Sequence, residues 1–149
     1  MSLKVGDKAP EIMSKDQNGN SFKLSDYQGK KVALYFYPKD NTPGCTEQAC
    51  NLRDNEMQLK SAGYQIIGVS VDDEKSHKKF IEKFSLPFPL IADTEKKVVE
   101  DYGVWVEKSM YGKKYMGIAR TTFIIDESGK ITKIIDKVNT KDHVTQILN

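Results

Sequence analysis

The sequence predicts an α/β fold, a central mixed β-sheet flanked by helices with an amino-terminal β-hairpin, and three observations carry that prediction. Val32-Ala33-Leu34-Tyr35-Phe36-Tyr37 is a continuous apolar and aromatic run of strand length, which suits a strand buried on both faces. Ile66-Ile67-Gly68-Val69-Ser70-Val71 is a second such run. Between and after them, apolar residues recur at helical spacing, so strands and helices alternate along the chain in the order that covers a sheet with helices. At 149 residues the chain is expected to form one domain over 1–149, long enough to bury a sizeable core. It contains no internal repeat, low-complexity stretch or linker-like segment.

Each element follows from local signals. Asn18-Gly19, within the polar stretch Ser14 to Ser21, marks the turn of a small hairpin flanked by Ile12 and by Phe22 and Leu24. Pro38 ends the first buried strand. Thr42 suits a helix N-cap and Pro43 the first helical position, where its fixed φ fits and its missing N–H costs nothing. Ala49, Leu52 and Leu59 continue an apolar stripe with Cys45, which predicts a helix to about Ser61, stopped by Gly63. After the second strand, Asp72 or Asp73 can cap a helix with Phe80, Ile81 and Phe84 on one face, ended before Pro87. Asp93 or Thr94 can cap a shorter helix carrying Val98, Val99 and Tyr102. Thr122 to Ile125, the Gly-containing turn Asp126 to Lys130, and Ile131 to Ile135 read as strand, turn and strand. A last helix after Thr140 would pack Val144, Ile147 and Leu148. His77 and His143 stand among polar helix residues and are expected at the solvated surface; Trp105, Tyr111 and Tyr115 are expected to cover the core or border a pocket.

Composition removes several function classes. With 38% hydrophobic and 30% charged residues, the chain is an ordinary globular sequence. Lys+Arg 23 against Asp+Glu 21 leaves only +2, too balanced to call for a nucleic acid or an anionic membrane surface as partner. Two cysteines cannot staple a secreted scaffold, and with only two histidines beside them no zinc spacing can be written, so no metal is expected. Met1 to Lys8 lacks the pattern of a signal peptide, and no run approaches the ~18 apolar residues of a membrane span. A cytoplasmic location is the expectation, and in a reducing compartment a cysteine pair is more often catalytic, redox-sensing or metal-binding than structural.

Cys45 and Cys50 are unequal. The Thr42-Pro43 start puts Cys45 in the first helical turn, where unpaired backbone N–H groups and the positive end of the helix dipole favour the thiolate, the nucleophilic form. Cys50 follows five residues later, about 500° of rotation and roughly 8.6 Å away in an ideal helix, beyond the ~7 Å limit for a disulfide. If the two sulfurs bond, the first turns must unwind, and amide exchange across Gly44 to Arg53 should be slow in the dithiol and faster in the disulfide. The arginines add a second clue. Only Arg53 and Arg120 are Arg, the other basic residues being Lys, and Arg120 stands beside an apolar strand in Gly117-Ile118-Ala119-Arg120-Thr121-Thr122-Phe123. A planar, permanently charged fork there could favour a thiolate and hold two oxygens.

On these residues the sequence resembles the peroxiredoxins, and within them the peroxiredoxin Q, or bacterioferritin-comigratory, group. Pro38, Thr42 and Cys45 match the Pro-x3-Thr-x2-Cys motif, and Thr42-Pro43-Gly44-Cys45-Thr46 through Cys50 matches the Q-group form. Arg120 matches the family arginine, and Val5 to Pro10, Leu24 to Tyr27, Tyr102 to Trp105 and Phe123 to Asp126 extend the resemblance along nearly the whole chain. The resemblance implies a thioredoxin-like fold and a peroxidase without metal, haem or flavin. It implies Cys45 as peroxidatic nucleophile passing through a sulfenic acid, with Thr42, Gly44, Cys45 and Arg120 holding hydrogen peroxide or an alkyl hydroperoxide. Pro38 would shield the thiolate, Gln48 would lend hydrogen-bond support, and Cys50 would resolve the sulfenic acid to an intramolecular disulfide. A thioredoxin-type dithiol would re-reduce it, in a monomer or weak dimer. Two other readings use the same pair: a redox sensor that changes shape on oxidation, and a thioredoxin-type dithiol oxidoreductase, which the Cys-x4-Cys gap disfavours because that chemistry uses Cys-x2-Cys.

Overall fold

The computed structural model describes residues 3–149; Met1 and Ser2, part of the stretch read above for targeting signals, lie outside the described residues. The first buried run is β3 (Lys31–Phe36) and the second is β4 (Tyr64–Ser70); they pair in parallel and form the middle of a five-stranded sheet. β5 (Leu90–Ala92) extends the sheet in parallel beyond β4. On the other side β8 (Thr121–Ile125) runs antiparallel to β3, and β9 (Ile131–Ile135) antiparallel to β8. The order β5-β4-β3-β8-β9 makes a mixed sheet, as expected.

Alternation along β3 explains why its sequence is apolar throughout. Val32, Leu34 and Phe36 face one core, with Ile67, Val69, Phe123 and the amino-terminal residues Ile12, Phe22 and Leu24. Ala33, Tyr35 and Tyr37 face a second core containing Cys45, Ala49, Leu52, Phe80 and Val144. A strand with a core on each side has no polar face to spare. Gly68 marks the tightest point: a Cβ there would sit 2.6 Å from Leu90 Cδ2 and 3.0 Å from the Tyr35 ring.

The hairpin of β1 (Met13–Lys15) and β2 (Ser21–Lys23) forms around Gly19 at φ 77°. α3 (Glu74–Phe84) starts at Asp73, whose side chain accepts from Ser76 N, and ends at Ser85 before Pro87. α5 (His143–Leu148) buries Val144 and Ile147. Other expectations are corrected. The long helix is two: α1 (Pro43–Asp54) breaks at Asn55, and α2 (Glu56–Ser61) follows. Asn55 Nδ2 donates to Asn51 O at 2.8 Å, the local side-chain competition that makes Asn a poor interior helix residue. Lys96, in the left-handed region, stands at the N-cap position of α4 (Lys97–Asp101), while the Asp93 carboxylate reaches in to accept from Val98 N and Val99 N.

The sequence reading also missed a second hairpin. β6 (Trp105–Met110) and β7 (Lys113–Ile118) form their own two-stranded sheet. Its turn, Tyr111-Gly112, has positive φ at both residues, the twist-matched form that usually takes Asn-Gly. Tyr111 and Tyr115 are therefore exposed, the former at 99%, rather than covering the core; Trp105 is half-buried against the first core. Among the described residues no helix is long and apolar enough to cross a membrane.

Candidate active site

Thr42 has extended backbone (φ −96°, ψ 158°) at the start of α1, with Pro43 at the first helical position. Its carbonyl accepts from Thr46 N at 2.8 Å, but its hydroxyl does not cap the helix. That expectation is corrected: Oγ1 donates backward to Lys39 O at 2.8 Å. The hydroxyl hydrogen is then spent within the loop, and the oxygen's lone pairs are what it can offer a ligand.

Cys45 lies in the first turn and is buried, at 1% exposure. Cys50 is half-buried on the same unbroken helix, and both thiols are free. Arg120, in the two-residue link between β7 and β8, turns its guanidinium onto α1. One terminal nitrogen donates to Gln48 Oε1 at 2.7 Å and the other to Cys45 Sγ at 3.4 Å. Residues 75 apart in sequence thus meet at one sulfur. Gly44 allows this approach, since a Cβ there would stand 3.3 Å from the nearer guanidinium nitrogen. Gln48 is fully buried and serves as the partner that orients Arg120. Pro38 is half-buried at the end of β3 and opens the loop that leads to Thr42.

Tyr35 shares this core, fully buried, its hydroxyl without a hydrogen-bond partner among the described residues. Burial, with the charges of Cys45 and Asp40 adding to it, holds the phenol well above its ordinary value, so it stays protonated. A further cation was not anticipated. Lys108 is half-buried on β6, and its stem passes over Gly117, where a Cβ would meet Lys108 Cδ at 3.2 Å. Burial and then the Arg120 charge lower its affinity for its proton, against a pull upward from Cys45. A Gly at the cross-strand diagonal was the available signal, but only once the hairpin is known.

The two histidines contradict the surface expectation most plainly. Both are fully buried. His77 Nδ1 lies 2.7 Å from Asp40 Oδ2 and its Nε2 2.8 Å from Ile91 O. His143 Nε2 lies 2.8 Å from Thr122 Oγ1 and its Nδ1 2.8 Å from Gln146 Oε1. Each lies on the inner face of its helix; both partners of His77, and Thr122 for His143, come from other segments that helical patterning does not reveal.

The chain is similar to known proteins along nearly its whole length. The AhpC/TSA family model matches residues 5–134. The chain is 49% identical over 148 residues to Peroxiredoxin Bcp of Bacillus subtilis, covering 99% of this chain and 94% of that one. It is 48% identical over 147 residues to Peroxiredoxin Bcp of Escherichia coli, with 99% and 94% covered. Among solved structures it is similar to the bacterioferritin comigratory protein of Xanthomonas campestris studied for alkyl peroxide reduction, with a TM-score of 0.86, 34% identity, and 92% of this chain and 87% of that one covered.

Proposed function

We propose, from the premise that the chain belongs to the AhpC/TSA family, that Cys45 is its peroxidatic nucleophile and Cys50 its resolving thiol. The protein is a thiol-dependent peroxidase of the Bcp/peroxiredoxin Q type: it takes a peroxide as substrate and electrons from a thiol reductant. The observation that carries the residue assignment is the Arg120 guanidinium donating to Cys45 Sγ at the start of α1.

In the first step the Cys45 thiolate attacks the terminal oxygen of hydrogen peroxide or an alkyl hydroperoxide. The S–O bond forms, the O–O bond breaks, and the leaving oxygen takes a proton to depart as water or alcohol. Cys45 is then a sulfenic acid. Arg120, its fork braced by Gln48, offers fixed N–H donors where negative charge moves onto the leaving oxygen. Thr42, its hydroxyl hydrogen given to Lys39 O, accepts from the peroxide O–H; Gly44 leaves room for the guanidinium; Pro38 limits water above the thiol. In the second step Cys50 attacks the sulfenic sulfur, water leaves, and the disulfide forms after the first turns of α1 open. A thioredoxin-type dithiol then returns both thiols by exchange. The chemistry needs only these side chains, in a chain read as one domain over 1–149, acting in the cytoplasm as a monomer or weak dimer.

Mass spectrometry of peroxide-treated protein tests the cycle. The wild type should lose two hydrogens as a Cys45–Cys50 disulfide, Cys50→Ser should stop at the Cys45 sulfenic acid or overoxidise, and Cys45→Ser should not turn over with thioredoxin and its reductase. Turnover by Cys45→Ser equal to wild type would overturn the assignment.

A further inference from the structure

We propose that Asp40 and His77 are positioning residues for the loop over the reactive cysteine, a buried carboxylate–imidazole pair that fixes residues 38–42 to α3 and β5; the inference rests on the reading of Cys45 as nucleophile. The loop joins β3 to α1 and carries both Pro38 and Thr42. Asp40, at its centre, is only 7% exposed, an uncommon place for a carboxylate. Its oxygens are fully engaged. Tyr37 Oη donates to Oδ1 at 2.5 Å, Ser76 Oγ donates to Oδ2 at 2.8 Å, and His77 Nδ1 meets the same Oδ2 at 2.7 Å. The Asp40 backbone N–H donates to Asp72 Oδ2 at 2.8 Å, an oxygen that also accepts from Ser70 Oγ at 2.7 Å.

The donor and acceptor roles follow from the partners. Ile91 O can only accept, so His77 Nε2 carries a hydrogen, and Nδ1 faces the carboxylate with one proton held between ring and oxygen. The pair thereby ties the loop to the first turn of α3 and, through Ile91, to β5. Asp40, Asp72 and His77 also bring ligand atoms within 4.8 Å of one another. Those atoms already satisfy one another and the Asp40 N–H, Ser70 and Ser76 hydrogens, which accounts for the cluster by proton sharing alone.

Local preference shapes the end of the loop: Asn41 is at φ 58°, a region Asn tolerates better than most residues, and Thr42, before Pro43, is extended, its hydroxyl turned back to Lys39 O. Neither Asn41 nor Thr42 has a buried side-chain bond of its own to another element; Lys83 reaches Asn41 only from the exposed side, at 3.5 Å. The buried anchor is Asp40, two residues from Thr42 on one side and from Pro38 on the other. Neither Asp40 nor His77 bonds the sulfur, so their effect reaches the chemistry through the loop. Because the anchors lie in the β4–α3 link, α3 and β5 and not in α1, the loop also stays in place when the first turns of α1 open.

The test separates positioning from stability. Removing one partner orphans the other in a buried site, whereas removing both for apolar residues leaves no charged or imidazole partner orphaned and frees only Tyr37 Oη, Ser76 Oγ and Ile91 O. Thermal midpoints and the second-order rate of Cys45 oxidation by hydrogen peroxide are measured for wild type, Asp40→Ala, His77→Leu and the double variant. The single variants should lose both stability and rate. The double variant should regain part of the midpoint lost by the single variants yet oxidise roughly ten- to a hundredfold more slowly than wild type, as a displaced catalytic group does. A double variant that recovers the wild-type rate along with its stability overturns the proposal. Should that variant fail to fold, amide exchange of the wild type decides: the Asp40 N–H should stay protected in dithiol and disulfide forms alike, and its loss of protection together with Thr46 to Ala49 overturns the proposal. Wild-type protein that peroxide does not oxidise at Cys45 would instead refute the cysteine assignment.

Discussion

The amino- and carboxy-terminal halves of α1 are fastened to the rest of the molecule by different means. In the first half, Cys45 and Gln48 both meet Arg120, so the buried polar contacts converge on the thiol; the other link, Thr140 Oγ1 to Glu47 Oε1, is exposed. In the second half the contacts reach backbone. Asn51 Oδ1 accepts from Val144 N at 2.9 Å, at the start of α5, and Arg53 donates to Phe84 O at 2.8 Å, at the end of α3. Leu52 is fully buried between them. Oxidation of Cys45 changes the acceptor that Arg120 faces in the first half and leaves the Asn51 and Arg53 contacts of the second half untouched. The helix is therefore built to open from one end.

The largest expected effect sharpens this difference directly. In the disulfide form, amide protection over Thr46 to Cys50 should fall by on the order of a thousandfold, while Leu52 to Asp54 keeps most of its protection, as for a local opening well below global unfolding. Hydrogen exchange with mass or NMR readout checks it. Equal loss across both halves would mean the helix moves as one body and the comparison fails.

Next in size is the contrast between the two arginines. Arg120→Lys should lower kcat/KM for hydrogen peroxide by roughly a hundredfold, because an ammonium cannot hold Gln48 and face the sulfur at once. Arg53→Lys, at a half-exposed side chain bonded to a carbonyl, should leave kcat/KM within about twofold. Steady-state peroxidase assays of the two variants, side by side, measure the contrast. Equal losses would place the value of Arg120 in general charge rather than in its fork.

These halves also mark what could be read from sequence. Cys45, Thr42, Pro43 and the apolar stripe are local signals, and the helix start they imply is observed. Arg120 stood out by its rarity among lysines beside an apolar strand, although its contact with sulfur depends on strand pairing that places β8 next to β3. The buried histidines were not legible. Asp40 and Thr122 come to them from 37 and 21 residues away, and nothing in a polar helix sequence announces a partner across the fold. The second hairpin was missed because its strands are largely exposed and lack an apolar run, and because Tyr rather than Asn opens its turn. Thr42 shows the reverse case: the right residue at the right position, with its hydroxyl used for the loop instead of the helix.

The smallest expected effect concerns the anchor of the second half. His143 opens α5, whose Val144 N–H holds Asn51, and its partners are neutral. Gln146 Oε1 accepts from Asn139 N as well, so the His143 Nδ1 hydrogen points to that oxygen and Nε2 accepts from the Thr122 hydroxyl. The neutral ring is satisfied, and a second proton finds no carboxylate. Burial, despite the Gln146 bond, and then the Arg120 and Lys133 charges hold the ring below its ordinary value of 6.5. The unfolded chain thus takes up the proton first, and folding stability is full above 6.5 and declines as pH falls from there toward the lower folded value. Between about pH 7.5 and about pH 5.5 the thermal midpoint should drop by about 2 to 4 °C from this group, and His143→Gln should flatten the slope over that interval. The same comparison can break it: a wild-type slope that His143→Gln leaves unchanged would make the anchor of α1 insensitive to pH.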